Sequence, residues 1–141
     1  MLEVLSPAGS SDALVAAVQN GADAVYLGCG SFNARVNAKN FTLEQLHQWV
    51  SYCHIRGVKV YLTLNTLVLD RELKDVAREI LEASRAGVDA ILVQDLGVCQ
   101  LVRTLAPDVP IHASTQMAVH NLDGVLRAAE MGITRVVLAR E

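Results

Sequence analysis

The fold is decided by the stretch Ala16-Ala17-Val18-Gln19-Asn20-Gly21-Ala22-Asp23-Ala24-Val25-Tyr26-Leu27-Gly28. An amphipathic helix ends at a glycine, a short polar step follows, and a compact apolar run comes next. Glycine just past a helix can adopt the left-handed conformation that closes the last turn. The apolar run does not alternate with polar residues, which is typical of a parallel strand buried on both faces.

The same pattern recurs around Gly57, Gly87 and Gly132, and the last interval contains a further unit. A helix between successive strands supplies the crossover that parallel pairing requires. The pattern predicts six strands, at Glu3–Ser6, Ala24–Gly28, Lys59–Thr63, Ala90–Gln94, Ile111–Ser114 and Arg135–Ala139. It predicts five helices, at Ser11–Asn20, Leu43–Arg56, Arg71–Ala86, Leu96–Leu105 and Leu122–Met131, with N-cap signals at Thr42, Asp70 and Asn121.

Two α/β architectures are compatible with such a run of units: a (β/α)₈ TIM-type barrel and a doubly wound open sheet. The dinucleotide-binding form of the open sheet needs G-x-G-x-x-G after the first strand. Here that strand is followed by Pro7-Ala8-Gly9-Ser10-Ser11, and Gly28-Cys29-Gly30 after the second lacks the third glycine. The nearly equal units favour the barrel. We therefore expect residues 1–141 to form one incomplete barrel domain, truncated to about six parallel strands and five helices.

Composition limits the function. The chain is 52% hydrophobic and 19% charged, which indicates a globular protein. Its net charge of −3 argues against binding nucleic acid by bulk charge alone, since phosphate neutralisation needs a surplus of Lys and Arg. Three widely spaced cysteines form no metal-ligand motif and are expected to be free thiols. The N-terminus does not resemble a signal peptide, and no apolar run approaches the ~20 residues of a membrane helix, so we expect a cytoplasmic protein.

Polar residues cluster where the predicted strands end, the usual place for a site in either architecture. These candidates are Ser6, Arg35, Asn37, Asn65, Gln94, Asp95, His112, Ser114, Gln116, Arg140 and Glu141. In the predicted fifth strand His112, Ser114 and Gln116 would alternate onto one face. Together these groups predict a polar pocket for an anionic or heteroaromatic ligand.

Each candidate also has a purely structural interpretation. Asn65, Gln94 and Asp95 would serve as helix caps or loop anchors, His112 as a core histidine, and Arg35 as a solvated loop charge. The charges of the third helix are interpreted as an outer solvated face: Arg71, Glu72, Lys74, Asp75, Arg78 and Glu79.

Several motifs resemble the N-terminal part of the U32 peptidase family, the collagenase-like proteins. They are Leu5-Ser6-Pro7-Ala8-Gly9, Gly21–Gly28, Asn33-Ala34-Arg35, Thr63-Leu64-Asn65-Thr66, Val93-Gln94-Asp95, His112-Ala113-Ser114-Thr115-Gln116 and Val137-Leu138-Ala139-Arg140-Glu141. The resemblance covers the chain in order and implies a barrel that continues with further strands. It also implies a cysteine-rich, iron–sulfur-binding region beyond the equivalent of Glu141. Cys29, Cys53 and Cys99 match none of those cysteines, so no metal ligand is assigned in this chain.

The resemblance implies an enzyme that hydroxylates a pyrimidine in rRNA or tRNA without oxygen, with prephenate as a small anionic co-substrate. Arg35 and Arg140 would contact carboxylate or phosphate, and Asn65, Gln94 and Gln116 would bind polar substrate edges. Ser6, Asn37, Ser114 and Glu141 complete the substrate-binding candidates, and His112 and Asp95 are the candidates for proton transfer.

Two alternatives remain. The first is a collagenase-like peptidase acting on a peptide, although the sequence contains no HExxH, GxSxG or Cys/His protease signature. The second is a folded but inactive fragment, which would self-associate through two open strand edges.

Overall fold

Six parallel strands form a single sheet in which their spatial order equals their order along the chain. A computed structural model describes residues 2–34 and 41–140. The strands are β1 (Leu5–Pro7), β2 (Ala24–Leu27), β3 (Lys59–Leu64), β4 (Ala90–Val93), β5 (Ile111–Ala113) and β6 (Ile133–Val136). A doubly wound sheet would reverse its strand order part-way across. The uninterrupted order is that of a (β/α) barrel wall, which confirms the predicted architecture.

Five helices connect the strands: α1 (Ser11–Gln19), α2 (Leu43–His54), α3 (Leu73–Ala86), α4 (Leu96–Leu105) and α5 (Leu122–Glu130). The predicted caps at Thr42 and Asn121 are confirmed, and Thr42 forms a reciprocal capping box with Gln45. Asp70 instead opens a short 3-10 turn, Asp70–Glu72, ahead of α3. None of the helices in residues 2–34 and 41–140 is long and apolar enough to cross a membrane.

The repeated glycine step has a structural explanation. Gly87 follows α3 in the left-handed conformation, with φ of 81°, and its N–H closes the last turn on the Ala83 carbonyl. The aspartate two residues after the glycine also forms a structural hydrogen bond. Asp89 accepts the Val60 N–H at 2.8 Å, and Asp23 accepts the Val4 N–H at 2.7 Å in the earlier copy of the motif. Each carboxylate therefore ties the start of its own strand to the start of the preceding one.

Side chains of the sheet divide between two apolar layers. Val25, Val60, Leu62, Ile91 and Val93 face the helices and are at most 1% exposed. Residues of the opposite parity face the barrel interior and form a smaller cluster of Ala24, Tyr61, Ala90 and Leu92, with Leu5 and Tyr26 against it. Burial on both faces explains why the strands are apolar without alternation.

The first and last strands differ from the prediction, and β1 begins at Leu5 rather than at Glu3. β6 runs from Ile133 to Val136, two residues earlier than the expected start at Arg135. Its register to β5 shifts between Ile111 and His112, and Thr134 donates its hydroxyl to the Ile111 carbonyl at 3.1 Å. Ile133 and Val136 pack towards the helices, while Thr134 and Arg135 are exposed. An edge strand of this kind is not continuously apolar. Its start could therefore not be recognised as the beginning of a continuous apolar run, which is the pattern that located β2 to β4.

The two edges of the sheet carry a testable expectation. Within the described residues β1 pairs only with β2, and β6 pairs only with β5. An open edge presents unpaired N–H and C=O groups to another chain. We expect the isolated 141-residue chain to self-associate, with a scattering mass that rises with concentration. A mass that stays at 15.2 kDa at high concentration would contradict this.

Candidate functional site

A cavity of about 400 Å³ opens at the carboxyl ends of the strands. We call it the rim cavity and define its polar lining by Tyr26, Thr63, Asn65, Ser114, Thr115, Gln116 and Arg140. Its apolar floor includes Leu5 and Leu92, which belong to the inner apolar layer. A cavity of this volume, apolar at its base and polar at its mouth, has the form of a small-molecule site.

The charge of the rim cavity is one-sided. Among its described lining residues Arg140 is the only charged one, and none is a carboxylate. An arginine can form two parallel hydrogen bonds to a carboxylate or phosphate. The cavity therefore favours an anionic group near Arg140 and an uncharged polar group elsewhere.

Strand parity brings Tyr26 and Thr63 to the cavity, and sequence analysis did not select either of them. Both occupy inward-facing positions on neighbouring strands, as shown by the register that pairs Tyr26 with Tyr61. Thr63 is 7% exposed and donates its hydroxyl to the Leu27 carbonyl at 3.1 Å. Counting in twos from Ala24 and from Tyr61 would have found both residues.

Ser114 and Gln116 reach the cavity through a turn. β5 ends at Ala113, and Ser114 caps a short 3-10 turn, Thr115–Met117, that carries Gln116. The predicted strand alternation of His112, Ser114 and Gln116 therefore does not extend to Gln116. Ser114 is 4% exposed, whereas Gln116 is exposed on the cavity wall.

Asn65 follows β3 and lines the cavity as predicted. Its side-chain oxygen accepts the Ala34 N–H at 3.1 Å, and its amide nitrogen donates to Ser114 Oγ at 3.1 Å. It therefore links two separate segments of the rim.

Asp95 and Gln94 follow β4, and neither is among the described lining residues of the rim cavity. Asp95 is the N-cap of α4, where it accepts the N–H groups of Gly97 at 2.7 Å and Val98 at 3.1 Å. Its second oxygen accepts the Val68 N–H at 3.4 Å. These bonds give Asp95 a structural role, and they match the capping interpretation of this residue.

His112 lies on the inner face of β5, outside the described lining of the rim cavity. Its ring packs edge-on against Tyr61, with centroids 4.9 Å apart, beside Lys59 and Arg135. Burial, followed by the nearby Arg135 charge, lowers the pKa of His112 to about 4. The imidazole is therefore neutral at pH 7.

The residues around His112 form an ionic cluster at the amino-terminal end of the barrel, made of Glu3, Lys59, Tyr61, His112 and Arg135. Glu3 accepts from Arg135 at 2.6 Å and from the Tyr61 hydroxyl at 2.9 Å. The Arg135 hydrogen bond holds the pKa of Glu3 down at about 2. The cluster joins Glu3, before β1, to Arg135 of β6.

The remaining candidates lie elsewhere. Ser6 pairs in register with Val25, whose side chain faces the helices, so Ser6 is on the outer face of β1. Arg35, Asn37 and Glu141 lie outside the described residues.

A buried carboxyl group lies beneath the loop that follows β2. Glu79 of α3 is 3% exposed, and its Oε1 has no hydrogen-bond partner among residues 2–34 and 41–140. Its other oxygen approaches Gly30 so closely that a Cβ there would lie 3.0 Å from it. Burial raises the pKa of Glu79 to about 8. The interpretation of Glu79 as part of a solvated face is wrong, because Glu79 follows Val76 by three residues and precedes Ile80 on the buried side of α3.

The described residues do not fit an iron–sulfur cluster or another metal. They contain no group of three or more His, Cys, Asp or Glu side chains that could hold an ion. Cys29, Cys53 and Cys99 are buried free thiols, as expected. Burial raises the pKa of Cys29 to about 12 and that of Cys53 to about 11, and it also raises the pKa of Cys99.

The sequence profile of one protein family matches nearly the whole of this chain. The profile described as Peptidase family U32 covers residues 9–141. The chain belongs to this U32 family. The family resemblance expected from the strand-end motifs is therefore confirmed.

Three relatives are similar to the chain along its length. An uncharacterized protease of Methanocaldococcus jannaschii is 44% identical over 142 residues, covering 100% of this chain and 34% of the relative. A 23S rRNA 5-hydroxycytidine synthase of Escherichia coli K12 is 40% identical, covering 99% and 21%. The tRNA hydroxylation protein P1 of Bacillus subtilis 168 is 37% identical, covering 99% and 33%. The chain thus spans between about a fifth and a third of these relatives.

Solved structures support the fold. The U32 peptidase Mk0906 has a TM-score of 0.78 at 17% identity, over 98% of this chain and 58% of that one. A deoxyribose phosphate aldolase from Aeropyrum pernix has a TM-score of 0.73 at 16% identity, over 96% and 63%. At these identities the likeness is one of fold alone, and it is to TIM-barrel proteins.

Proposed function

We propose that the whole protein is an RNA-modifying enzyme that hydroxylates a pyrimidine in rRNA or tRNA without oxygen, and that this chain is its substrate-binding barrel wall. The observation that carries the proposal is the match to relatives named for rRNA and tRNA hydroxylation, at 40% and 37% identity over 99% of the chain. The rim cavity is where the proposal places the reacting groups.

The chemistry of the rim cavity suits this reaction. Its volume of about 400 Å³ accommodates one base or a small acid. Gln116 carries an amide, which can pair with the polar edge of a base, and Arg140 is positioned for a carboxylate or phosphate, while the Asn65 amide is engaged by Ala34 and Ser114. We accordingly propose that an anionic co-substrate of the prephenate kind binds beside Arg140.

The partners of the reaction follow from the same proposal. A chain with a net charge of −3 does not bind RNA by charge alone, so the proposed RNA contact needs basic surface in the rest of the protein. The proposal also places an iron–sulfur cluster on residues outside these 141 and the protein in the cytoplasm. On this basis the isolated chain is inactive.

A peptidase is the second candidate, favoured by the 44% identity to a relative named as an uncharacterized protease. The described residues supply no activated nucleophile for it. The three thiols have raised pKa values, and Ser114 Oγ accepts from Asn65 while His112 packs on Tyr61. Cleavage of a collagen-like substrate by purified full-length protein, with loss of cleavage in His112→Ala, would favour the peptidase.

The proposal is tested by deleting the gene and measuring rRNA and tRNA nucleosides by mass spectrometry. We expect one hydroxypyrimidine to disappear and to return when the full-length gene is restored. Growth without oxygen should leave its level in the parent strain unchanged. Unaltered hydroxypyrimidine levels in the deletion strain would contradict the proposal.

A further inference from the structure

Asn65 connects two walls of the rim cavity that are distant in sequence. Ala34 lies 31 residues before it and Ser114 lies 49 residues after it. Because a backbone N–H can only donate, the Asn65 oxygen must face Ala34, and the NH₂ group must therefore face Ser114. The orientation of the amide is thus fixed by its partners.

The first wall is the loop after β2, which is organised around Asn33. This side chain is 1% exposed, and its amide donates to the Cys29 carbonyl at 3.3 Å and the Gly30 carbonyl at 3.4 Å. It lies so close to Gly28 that a Cβ there would be 2.5 Å from its Cγ. The loop is therefore compact as far as Asn33, and Ala34 is the point at which it is fastened to Asn65.

The second wall is the turn after β5. Ser114 Oγ accepts from Asn65 and also caps the turn by accepting the Gln116 N–H at 3.5 Å. The turn ends at Ala118 in the left-handed conformation, with φ of 58°. Movement of Ser114 would therefore move Thr115 and Gln116, which line the cavity.

We propose that Asn65 is a positioning residue that holds the β2 loop and the β5 turn at a fixed separation across the rim cavity. It acts on the ligand through Ser114 and Gln116 on one side and through the loop at Ala34 on the other. The effect on the ligand rests on the proposed function of the cavity. The two hydrogen bonds that link the loop to the turn do not depend on that function.

The first arm of the test measures amide hydrogen exchange in the full-length protein. Asn65→Ala should speed exchange at Ala34 and at Gln116 by about 5- to 10-fold, the loss of one hydrogen bond on each side. Asn65→Asp should keep the protection, because a carboxylate accepts from Ala34 and the Ser114 hydroxyl retains a proton to donate to it. Asn20→Ala, at the exposed end of α1, is the matched control. Unchanged exchange in Asn65→Ala would overturn the proposal.

The second arm is a double-mutant cycle on hydroxylation by the full-length enzyme, using Asn65→Ala and Ser114→Ala. The two single variants share the loss of the Asn65–Ser114 hydrogen bond, so the double variant should be less impaired than the product of the two single effects, with kcat reduced more than KM is raised. Effects that multiply independently would indicate a direct ligand contact by Asn65 and would overturn the positioning role. If the wild type hydroxylates no RNA, the proposed function fails, while the exchange arm still decides whether the fastening exists.

Discussion

Glu79→Gln is expected to stabilise the protein above pH 8 by about 5 kcal/mol, the scale set by a pKa rise from 4.5 to about 8. The wild-type carboxyl is buried, its Oε1 has no partner among the described residues, and its pKa is raised from 4.5 to about 8. In the unfolded chain the group ionises near its ordinary pKa, so wild-type stability falls as pH rises from about 4.5 to about 8. A glutamine of the same shape carries no charge and removes that loss.

The measurement is urea unfolding of wild type and Glu79→Gln at pH 4.5, 6.5 and 8.5. The difference in unfolding free energy should be near zero at pH 4.5, grow through pH 6.5, and be largest at pH 8.5. Glu82→Gln on the same helix is the matched control, since Glu82 lies at the surface beside Arg85. A pH-independent difference between wild type and Glu79→Gln would show that the carboxyl titrates normally.

Arg140→Ala is expected to raise the KM for the anionic co-substrate by about 10- to 100-fold in the full-length enzyme, the range of one or two charge-assisted hydrogen bonds. Arg140 is the only charged residue among the described lining of the rim cavity, so none of the other described lining residues can supply a cation in its place. Arg140→Lys should recover part of the affinity, because it keeps the charge and loses the planar pair of donors.

Arg78→Ala is the matched control for this prediction. Arg78 lies on the exposed face of α3, where it pairs with Asp75 at 2.9 Å. Steady-state kinetics with the co-substrate varied should give a wild-type KM for Arg78→Ala. Equal KM values for Arg140→Ala and wild type would place the anion elsewhere in the protein.

Elements with a strong local signal were predictable from the sequence. β2 to β4 were located to within one residue at each end, because each is an apolar run that begins shortly after a helix-ending glycine. The capping box at Thr42 was also predictable, because it depends only on Thr42 and on Gln45 three residues later. β6 was misplaced by two residues at its start because its position depends on the register shift against β5, which is a tertiary feature.

The candidate site was predictable in its position but only partly in its members. The rule that sites lie at the carboxyl ends of strands selected Asn65, Ser114, Gln116 and Arg140, which do line the cavity. It did not distinguish Asp95, whose carboxylate caps α4, from a residue facing the cavity. Strand-end position alone does not give the direction of a side chain.

Two further differences from the prediction concern polar residues whose face is set by the period of their strand or helix. Thr63 and Tyr26 were missed although strand alternation points both inward. Glu79 was assigned to the solvated face although its spacing from Val76 and Ile80 places it on the buried one. In both cases the periodicity of the apolar neighbours indicates the face on which the polar residue lies.

The most direct test of the account is nucleoside mass spectrometry of rRNA and tRNA from the deletion strain complemented with full-length variants. Gln116→Ala removes an amide from the rim cavity, and Gln100→Ala removes one from the exposed surface of α4. We predict that wild type and Gln100→Ala restore the missing hydroxypyrimidine, whereas Gln116→Ala restores it poorly. No loss of any hydroxypyrimidine on deletion, or full restoration by Gln116→Ala, would contradict the claim that the rim cavity serves RNA hydroxylation.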